Sequence, residues 1–358
     1  MADLMKGKTS YKSLVDDYSN FHVPTAKIKV NGFDVVKTLG LVVHEITAVL
    51  SVKSASSVTI LLEGLYDIGD HSFDSKIKNT FTLGTIVELE LGYLSTTRKI
   101  FKGYVEMVGV NMGVKNYYSI VLMDVKRLMM NSGRKNVLYN EKNYSDVFKT
   151  VMGTYSSLCS LDVKATSDDL TSPISQLTDD YDFVMNDLIL KGRVNREFIV
   201  FAGKAYFREP FSVSTPIMTM RLGRELTEFS VNHCYTDVEY EVIGVDDQEK
   251  PVSGKEKVKS AIKKTPLIIP TPTYKFAHPY VTTTSKATTM AKALAARQKT
   301  KICIGSGRCL GIPEIVPGRY VKIENADSTF DMNYYITEVV HEYTREGYTT
   351  QFDIGGCS

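Results

Sequence analysis

The sequence predicts a β-rich α+β fold in which two β domains flank a small α+β domain. Short segments rich in Val, Ile, Leu and Thr, separated by turn residues, occupy residues 26–125 and return after residue 216. Between them, around residues 143–188, apolar residues recur at helical spacing. Several short strands with little helix among them favour a sandwich or a barrel.

The first β domain is predicted at residues 23–127, after a polar N-terminal arm at residues 1–22. Its first hairpin turns at Asn31 and Gly32, because both residues tolerate positive φ. The polar segment 67–79 is predicted to be a long loop. The other strand candidates are residues 42–52, 58–62, 85–91, 100–110 and 117–125.

The middle α+β domain is predicted at residues 128–213. One helix begins at Ser145, and a second begins at residues 179–180, where acidic side chains suit the positive end of the helix dipole. Residues 197–207 then predict a hairpin whose turn contains Gly203.

The second β domain is predicted at residues 214–358. Five of the chain's eleven prolines and a basic run lie at about 246–284, so this Pro/Lys-rich segment is predicted to be an insertion or an extended connection. The alternative is a basic arm that binds nucleic acid. A helix capped by Ser285 follows, and such a helix can cover one side or the mouth of a small barrel. Three more strands are predicted at residues 319–324, 334–343 and 348–354.

The two β regions end in similar series of strands. In each, a strand that follows a glycine precedes two further strands. The segments are 84–89, 101–108 and 117–124 in the first region, and 318–323, 334–340 and 347–354 in the second. Their identity is low, so the pattern is no more than a hint of a duplicated domain.

Composition argues against several classes of protein. Lys plus Arg number 43 and Asp plus Glu number 41, a balance that gives no reason to expect a nucleic-acid partner. The five cysteines are odd in number and lack a Cys-x-x-Cys spacing, so neither a disulfide framework nor a zinc site is expected. Without a signal peptide or a run of ~20 apolar residues, the protein is expected to be made in the cytoplasm and to lack a membrane span.

The sequence contains only weak signals for catalytic or ligand-binding residues. His341 lies on a strand without partners at fixed spacing, so a packed, hydrogen-bonded histidine is expected. Asp179, Asp180 and Asp182 could form a carboxylate pair for glycoside hydrolysis, but their place at a helix start favours capping. Residues 305–307, Gly-Ser-Gly, open no helix and are predicted to be a turn. We therefore predict no catalytic residue, no metal site and no cofactor.

Paired tyrosines occur twice, at residues 117–118 and 334–335. Each pair places an aromatic side chain on both faces of a strand. This suits a strand that is buried by its own core on one face and by a neighbouring subunit on the other. Partial exposure is the alternative.

A series of short motifs runs through about residues 20–355. The motifs are 55–60, 84–87, 91–93, 100–105, 144–148, 173–176, 180–183, 203–204, 311–313, 317–318, Tyr335, His341 and 347–348. Their order resembles the phage late control gene D family, the baseplate hub proteins of contractile phage tails and tail-like bacteriocins. It is also similar to the hub portion of the valine-glycine-repeat spike proteins of type VI secretion.

The resemblance implies a fold and an assembly. Each subunit would carry two tail-tube-like β-barrel domains, and a homotrimer would form a pseudo-sixfold ring. That ring would join a hexameric tail tube to a central spike, which would be a separate protein because the chain stops soon after the second β domain. Other baseplate proteins of a phage tail, bacteriocin or injection system would surround it, and DNA would meet it only by passage through the lumen.

The expected function is therefore a structural baseplate hub and not an enzyme. Two alternatives remain open, a tail-associated cell-wall hydrolase and a glycan-binding adhesin. Turnover of peptidoglycan would favour the first, and saturable binding to cell walls without hydrolysis would favour the second.

Overall fold

The computed structural model describes residues 3–167, 170, 172–191, 194–265, 270–278 and 281–358. With 43% strand and 19% helix, the chain has the β-rich composition that the sequence predicts. Pro266 and Pro279 of the predicted insertion lie outside the described residues, as do the first two residues of the predicted arm.

The N-terminal part of the chain forms the first β unit. Its strands are β1 (Pro24–Val30), β2 (Phe33–Asp34), β3 (Val42–Ser51), β4 (Ser57–Glu63), β5 (Tyr66–Asp67), β6 (Ser72–Phe73), β7 (Ile86–Tyr93), β8 (Thr96–Asn111) and β9 (Tyr117–Met123). Its helices are α1 (Tyr11–Asp17), α2 (Val35–Leu39) and α3 (Ser75–Thr80), with a 3-10 turn at Ser19–Phe21. Asn31 and Gly32 both have positive φ between β1 and β2, so the predicted hairpin is confirmed. The predicted loop at 67–79 contains β6 and most of α3.

The middle unit has a separate hydrophobic core. Its elements are α4 (Val125–Met130), β10 (Val137–Tyr139), α5 (Tyr144–Gly153), β11 (Ser160–Val163), β12 (Ile174–Gln176), α6 (Asp180–Asp182), a π-helix (Phe183–Lys191), β13 (Glu197–Phe201) and β14 (Lys204–Arg208). Both predicted helices and the predicted hairpin are confirmed. Phe148 of α5 stacks on Phe207 of β14 with ring centroids 4.4 Å apart, and this contact joins helix to sheet.

The C-terminal part forms the second β unit. Its elements are β15 (Thr219–Arg221), β16 (Leu226–His233), β17 (Val238–Val245), β18 (Pro251–Val258), β19 (Thr273–Ala277), α7 (Thr284–Lys299), β20 (Cys303–Leu310), β21 (Tyr320–Glu324), β22 (Asn333–Thr344) and β23 (Tyr348–Cys357). The strands predicted at 319–324, 334–343 and 348–354 correspond to β21, β22 and β23.

A single sheet runs through both β units. Its order is β16-β20-β23-β22-β3-β4-β9-β8-β7-β1-β2, with β21 also paired to β22 and β15 to β21. The pairing of β22 with β3 joins the two units. Within the described residues the strand order is an open path that no further pairing closes, so the two barrels stay a prediction.

The segment at 246–284, predicted to break the strand pattern, contributes β18 and β19 to a three-stranded sheet with β17. Helix α7 packs mainly on β17 and β18 of this small sheet, and its C-terminal end also contacts β23 of the large sheet. Gly254 permits the close approach, because a Cβ there would clash with the backbone of α7. Lys257 on β18 lies 3.1 Å from Glu239 on β17, so opposite charges across the pair stabilise a strand that lacks apolar alternation.

The N-terminal arm is packed against the rest of the chain. Met5, Leu14 and Tyr18 are buried in the main hydrophobic core. The fully buried guanidinium of Arg319 donates hydrogen bonds of 2.8 Å to the carbonyl oxygen of Leu4 and of Gly7. Because residues 1–22 are mostly polar, the sequence does not predict that these few side chains anchor the arm.

Residues 311–319 form a loop in which every residue is buried, called the buried loop below. Several of its polar groups are paired with side chains from other parts of the chain, although Glu314 Oε2 and Arg319 Nε have no hydrogen-bond partner among the described residues. The Tyr93 hydroxyl donates to the Gly311 carbonyl oxygen at 2.9 Å. The Tyr18 hydroxyl donates to Glu314 Oε1 at 2.7 Å, so this loop connects the arm with the first β unit.

A second polar cluster connects the buried loop with the middle unit. Arg208 Nε donates to Glu197 Oε1 at 2.9 Å, and the same guanidinium donates to the Gly318 carbonyl oxygen. The Tyr335 hydroxyl donates to the other oxygen of Glu197 at 2.7 Å. Burial raises the pKa of Glu197, while the bonds from Arg208 and Tyr335 favour its charged form.

Arg319→Met is expected to lower the free energy of unfolding by about 2–4 kcal/mol, because it removes the hydrogen bonds from the buried guanidinium to the carbonyl oxygens of Leu4, Gly7 and Thr215. Urea denaturation measures this loss. The arm should also become easier to cleave with trypsin after Lys6 or Lys8.

Arg224→Met is the matched control, since that side chain is 62% exposed. We expect it to change stability by less than about 0.5 kcal/mol and to leave the arm protected. Equal protection of the arm in both variants would contradict the anchoring role of Arg319.

Candidate assembly interface

The two β units repeat one order of strands. The first has β3-β4-β9-β8-β7-β1, and the second has β16-β20-β23-β22-β21-β15. The similar sequence segments are β7, β8 and β9 in one unit and β21, β22 and β23 in the other. The strand order therefore agrees with the predicted duplication, with one difference: β1 is antiparallel to β7, whereas β15 is parallel to β21.

The joint between the units uses the second part of β22. The first part, from Asn333 to Tyr335, pairs with β21. The second part pairs with β3, from Glu338 opposite Ser51 to Thr344 opposite Glu45. One long strand thus belongs to its own unit at one end and reaches the neighbouring unit at the other.

Strand β8 holds the equivalent place in the first unit. Its pairing with β7 extends to Tyr104, opposite Ile86. Residues 107–111 pair with β9 on one side, and no strand of the described chain pairs with their other side. Met107 and Val110 are more than half exposed in this segment, which we call the free β8 edge.

Strand β16 holds the place that β3 has in the first unit. It pairs with β20 along one side, and its other side forms the end of the sheet in the described chain. Thr227, Ser230 and Asn232 are exposed along this strand. The equivalents of β8 and β16, namely β22 and β3, are paired with each other inside the chain.

A free strand edge presents unpaired N–H and C=O groups to any chain that can align with it. The free β8 edge adds exposed apolar side chains, which continue to Met112 and Val114 in the turn before β9. This arrangement is suited to strand pairing with another protein chain. The sequence shows the apolar run but not its missing partner, because an edge is defined only by what pairs elsewhere.

His341 is the strongest catalytic candidate in the sequence, and it lies in the core. Its side chain is fully buried on β22. Nδ1 is 3.0 Å from the Thr350 hydroxyl and 2.9 Å from the Tyr348 hydroxyl. Burial lowers the pKa of His341 to about 3, so the ring is neutral. The prediction of a packed, hydrogen-bonded histidine is confirmed.

The acidic cluster lies in the middle unit, apart from His341. Asp179 caps α6 by accepting a 2.8 Å hydrogen bond from the backbone N–H of Asp182, as predicted. Asp180 is fully buried, and its Oδ2 accepts bonds of 2.5 Å from both Lys135 and Tyr155. Burial would raise the pKa of Asp180, but its hydrogen bonds lower it. These carboxylates hold the fold and do not converge on a cleft.

The prediction of a turn at residues 305–307 is wrong. These residues lie inside β20. Glycine is needed there for packing, since a Cβ at Gly305 would clash with the backbone of β16 and one at Gly307 with the ring of Phe352.

The two tyrosine pairs differ. Tyr334 and Tyr335 are both buried by their own chain, against Phe229 at 5.4 Å and Phe211 at 4.6 Å between ring centroids. The expected covering of one face by a neighbouring subunit is therefore wrong for this pair. In the first unit Tyr118 is buried, and its neighbour at position 117 is half-buried.

Within the ranges that the structure describes, no three His, Cys, Asp or Glu side chains are grouped so that they could hold a metal ion. The helices of the same ranges include none with the length and apolar character needed to cross a bilayer.

Acidification is expected to destabilise the fold through His341. The folded pKa of about 3 lies below the model-peptide value of 6.5, so the unfolded chain binds a proton that the folded chain does not. Stability falls as the pH drops through this window, by about 2 kcal/mol at pH 5. Urea unfolding at pH 7 and pH 5 measures the loss.

His341→Asn is the comparison, because an amide can replace Nδ1 in these hydrogen bonds but does not titrate. It should show a smaller loss of stability between pH 7 and pH 5. Buried Glu197, whose pKa is raised, works in the opposite direction in both proteins and cancels from the difference. The same loss in both proteins would rule out His341 as the source.

Solved structures of tail proteins share this fold. The chain is similar to the tail protein from Neisseria meningitidis MC58, with a TM-score of 0.65 at 10% identity over 93% of this chain and 97% of that one. It is similar to the 43 kDa tail protein of prophage MuSo2 from Shewanella oneidensis, with a TM-score of 0.66 at 12% identity over 93% and 98%.

A type VI secretion component has the fold as well. The E. coli c3393 protein, itself structurally similar to the T4 bacteriophage tail proteins gp27 and gp5, matches with a TM-score of 0.58 at 12% identity over 93% of this chain and 77% of that one. Identities this low show a common fold and nothing finer. The fold is that of phage tail proteins and of a type VI secretion component.

No curated protein matches the sequence. The family described as the Alg8 N-terminal domain matches residues 20–345. This match does not test the resemblance to the late control gene D family, which stays a prediction. Because the match extends over most of its length, the chain belongs to the Alg8 N-terminal domain family.

Proposed function

We propose that this protein is the structural baseplate hub of a contractile phage tail or a tail-like particle, such as a bacteriocin or an injection system. As a homotrimer it joins the hexameric tail tube to the central spike. The fold common to tail proteins and a type VI secretion component supports this role, since two of those proteins match over nearly their whole length. The order of the late control gene D motifs supports it independently.

The domain plan follows the predicted boundaries. We assign the arm to residues 1–22, tube-like barrels to residues 23–127 and 214–358, and the α+β domain to residues 128–213. The segment at 246–284 is an insertion in the second barrel. The repeated strand order of the two β units supports this division.

The pairing of β22 with β3 is the observation that carries the proposal. It places two similar units side by side through different strands, β22 of the second unit and β3 of the first. In the other unit of each pair, β22 corresponds to β8 and β3 corresponds to β16. The free β8 edge and the outer side of β16 are therefore the equivalents of the two paired surfaces, and both are unpaired in the described chain. We infer that β8 of one subunit pairs with β16 of the next.

Such a contact is heterologous, and a heterologous contact closes into a ring when the rotation per subunit divides a full turn. Three chains then contribute six similar β units. A ring of six similar units with threefold exact symmetry can meet a hexameric tube on one side and a trimeric spike on the other.

The role is not enzymatic in this proposal. His341 and Asp180 are each fully buried and hydrogen-bonded, so a polymeric cell-wall substrate could not reach either group. The protein is made in the bacterial cytoplasm and assembled into a baseplate with the tube, spike and other baseplate proteins. DNA meets it only in the lumen of the ring.

Light scattering after size exclusion tests the trimer. We expect a mass near three times 40.0 kDa for the purified chain. Val110→Asp should lower the association constant of the trimer by at least about tenfold. It places a charge at the free β8 edge, where pairing with β16 of the next subunit would remove that charge from water.

Val245→Asp is the matched control, since Val245 is 52% exposed and Val110 is 51% exposed. It lies at the end of β17, in the three-stranded sheet and on neither free edge, and should leave the mass unchanged. A mass of 40.0 kDa for the unaltered chain at every concentration would count against the trimer. Equal effects of the two variants would count against the β8 joint.

A further inference from the structure

Two of the five cysteines lie at the same end of one strand pair. Cys303 begins β20 and Cys357 ends β23, and these strands pair with Ile304 opposite Gly355. Cys303 is fully buried, and Cys357 is half-buried and packs against the same hydrophobic core. The sequence separates these residues widely, so only the pairing of strands brings them together.

Gly356 interrupts the regular alternation of side chains next to Cys357. Its φ is 111°, a conformation that residues with a side chain rarely adopt. The pairing of Ile304 with Gly355 places Cys303 and Cys357 next to each other at this end of the two strands, and the two thiols interact. The contact between the thiols raises the pKa of Cys303 and lowers the pKa of Cys357.

The other buried cysteines have a different environment. Burial raises the pKa of Cys309 to about 12 and that of Cys159 to about 11, so both remain protonated thiols at neutral pH. A thiolate and not a thiol attacks a disulfide. Cys357 combines a lowered pKa, partial exposure and a neighbouring thiol, which are the properties of an attacking cysteine with a resolving partner.

We propose that Cys303 and Cys357 are a modification site that closes to a disulfide bond when the protein meets a disulfide oxidant such as glutathione disulfide. The Cys357 thiolate attacks one sulfur of the oxidant and expels one glutathione thiolate. Cys303 gives its proton to water, attacks the Cys357 sulfur of the mixed disulfide and expels the second glutathione. Two thiols are oxidised to one disulfide, and one glutathione disulfide is reduced to two glutathione molecules.

The timing of closure rests on the proposed function. In the reducing cytoplasm the pair stays open, and the bond forms once the assembled particle is in an oxidising medium. The bond would fasten the end of β23 to the start of β20. Cys357 lies opposite Tyr334, in the part of β22 that pairs with β21, so the bond would fasten three strands of the second β unit at one end.

Peptide mapping tests the proposal on the full chain. The protein is equilibrated in glutathione buffers up to potentials of about −180 mV, alkylated without reduction and digested with trypsin. Cleavage after Lys301, Arg308 and Arg345 separates Cys303 from Cys309. We expect peptides 302–308 and 346–358 to be recovered as one disulfide-linked species, and the melting temperature to rise by a few degrees.

Cys357→Ser should abolish both the linked peptides and the rise in melting temperature. Cys234→Ser, at another half-buried cysteine, should keep both. Unlinked peptides in the most oxidising buffer, a glutathione adduct that remains on Cys357, or a link between two chains would each overturn the proposal. Light scattering on the same samples distinguishes the two proposals, since linked peptides in a persistent monomer would refute the hub and leave the disulfide standing.

Discussion

The hydrogen bonds of the buried loop are what the rest of the structure depends on. A loop without regular secondary structure leaves backbone groups unpaired, and each such group costs about 1–3 kcal/mol when it is buried. At residues 311–319 the partners come from elsewhere: Tyr18 from the arm, Tyr93 from the first β unit and Arg208 from the middle unit. The loop is therefore stable only when all three parts are in place. The same hydrogen bonds hold the arm, the first β unit and the middle unit against the loop.

The pairing of β22 with β3 makes the two ends of this architecture different from each other. Two similar units placed side by side through different strands leave one unmatched strand at each end, so the chain has a β8 end and a β16 end. A duplicated chain that used the same strand from both units would have ended with two identical edges. The buried loop lies beside this joint, because Ile312 N donates to Thr350 on β23 at 3.0 Å. The same contacts thus hold the core and set the relation of the two units.

Local patterns in the sequence predicted the elements whose stability is local. The Asn31–Gly32 hairpin, the Asp179 cap and the alternating strands β21 to β23 are examples. Features that depend on distant residues were not predicted. The lysines of β18 suit a strand only because Glu239 lies opposite, and Gly305 is required only because β16 passes over it. The free β8 edge could not be predicted from local patterns for the same reason. Nothing in residues 107–111 indicates whether another strand of the chain pairs with them.

The packing of the arm has a consequence for the order of folding. Arg319 and Leu4 are 315 residues apart in sequence, and Tyr18 and Glu314 are 296 apart. Contacts of such separation form late, because a very long loop must close before they contribute. The arm thus cannot dock in full until the segment that contains Glu314 and Arg319 has been synthesised. A nascent chain that ends before residue 311 lacks both groups, so synthesis of the buried loop is the step that permits the arm to dock.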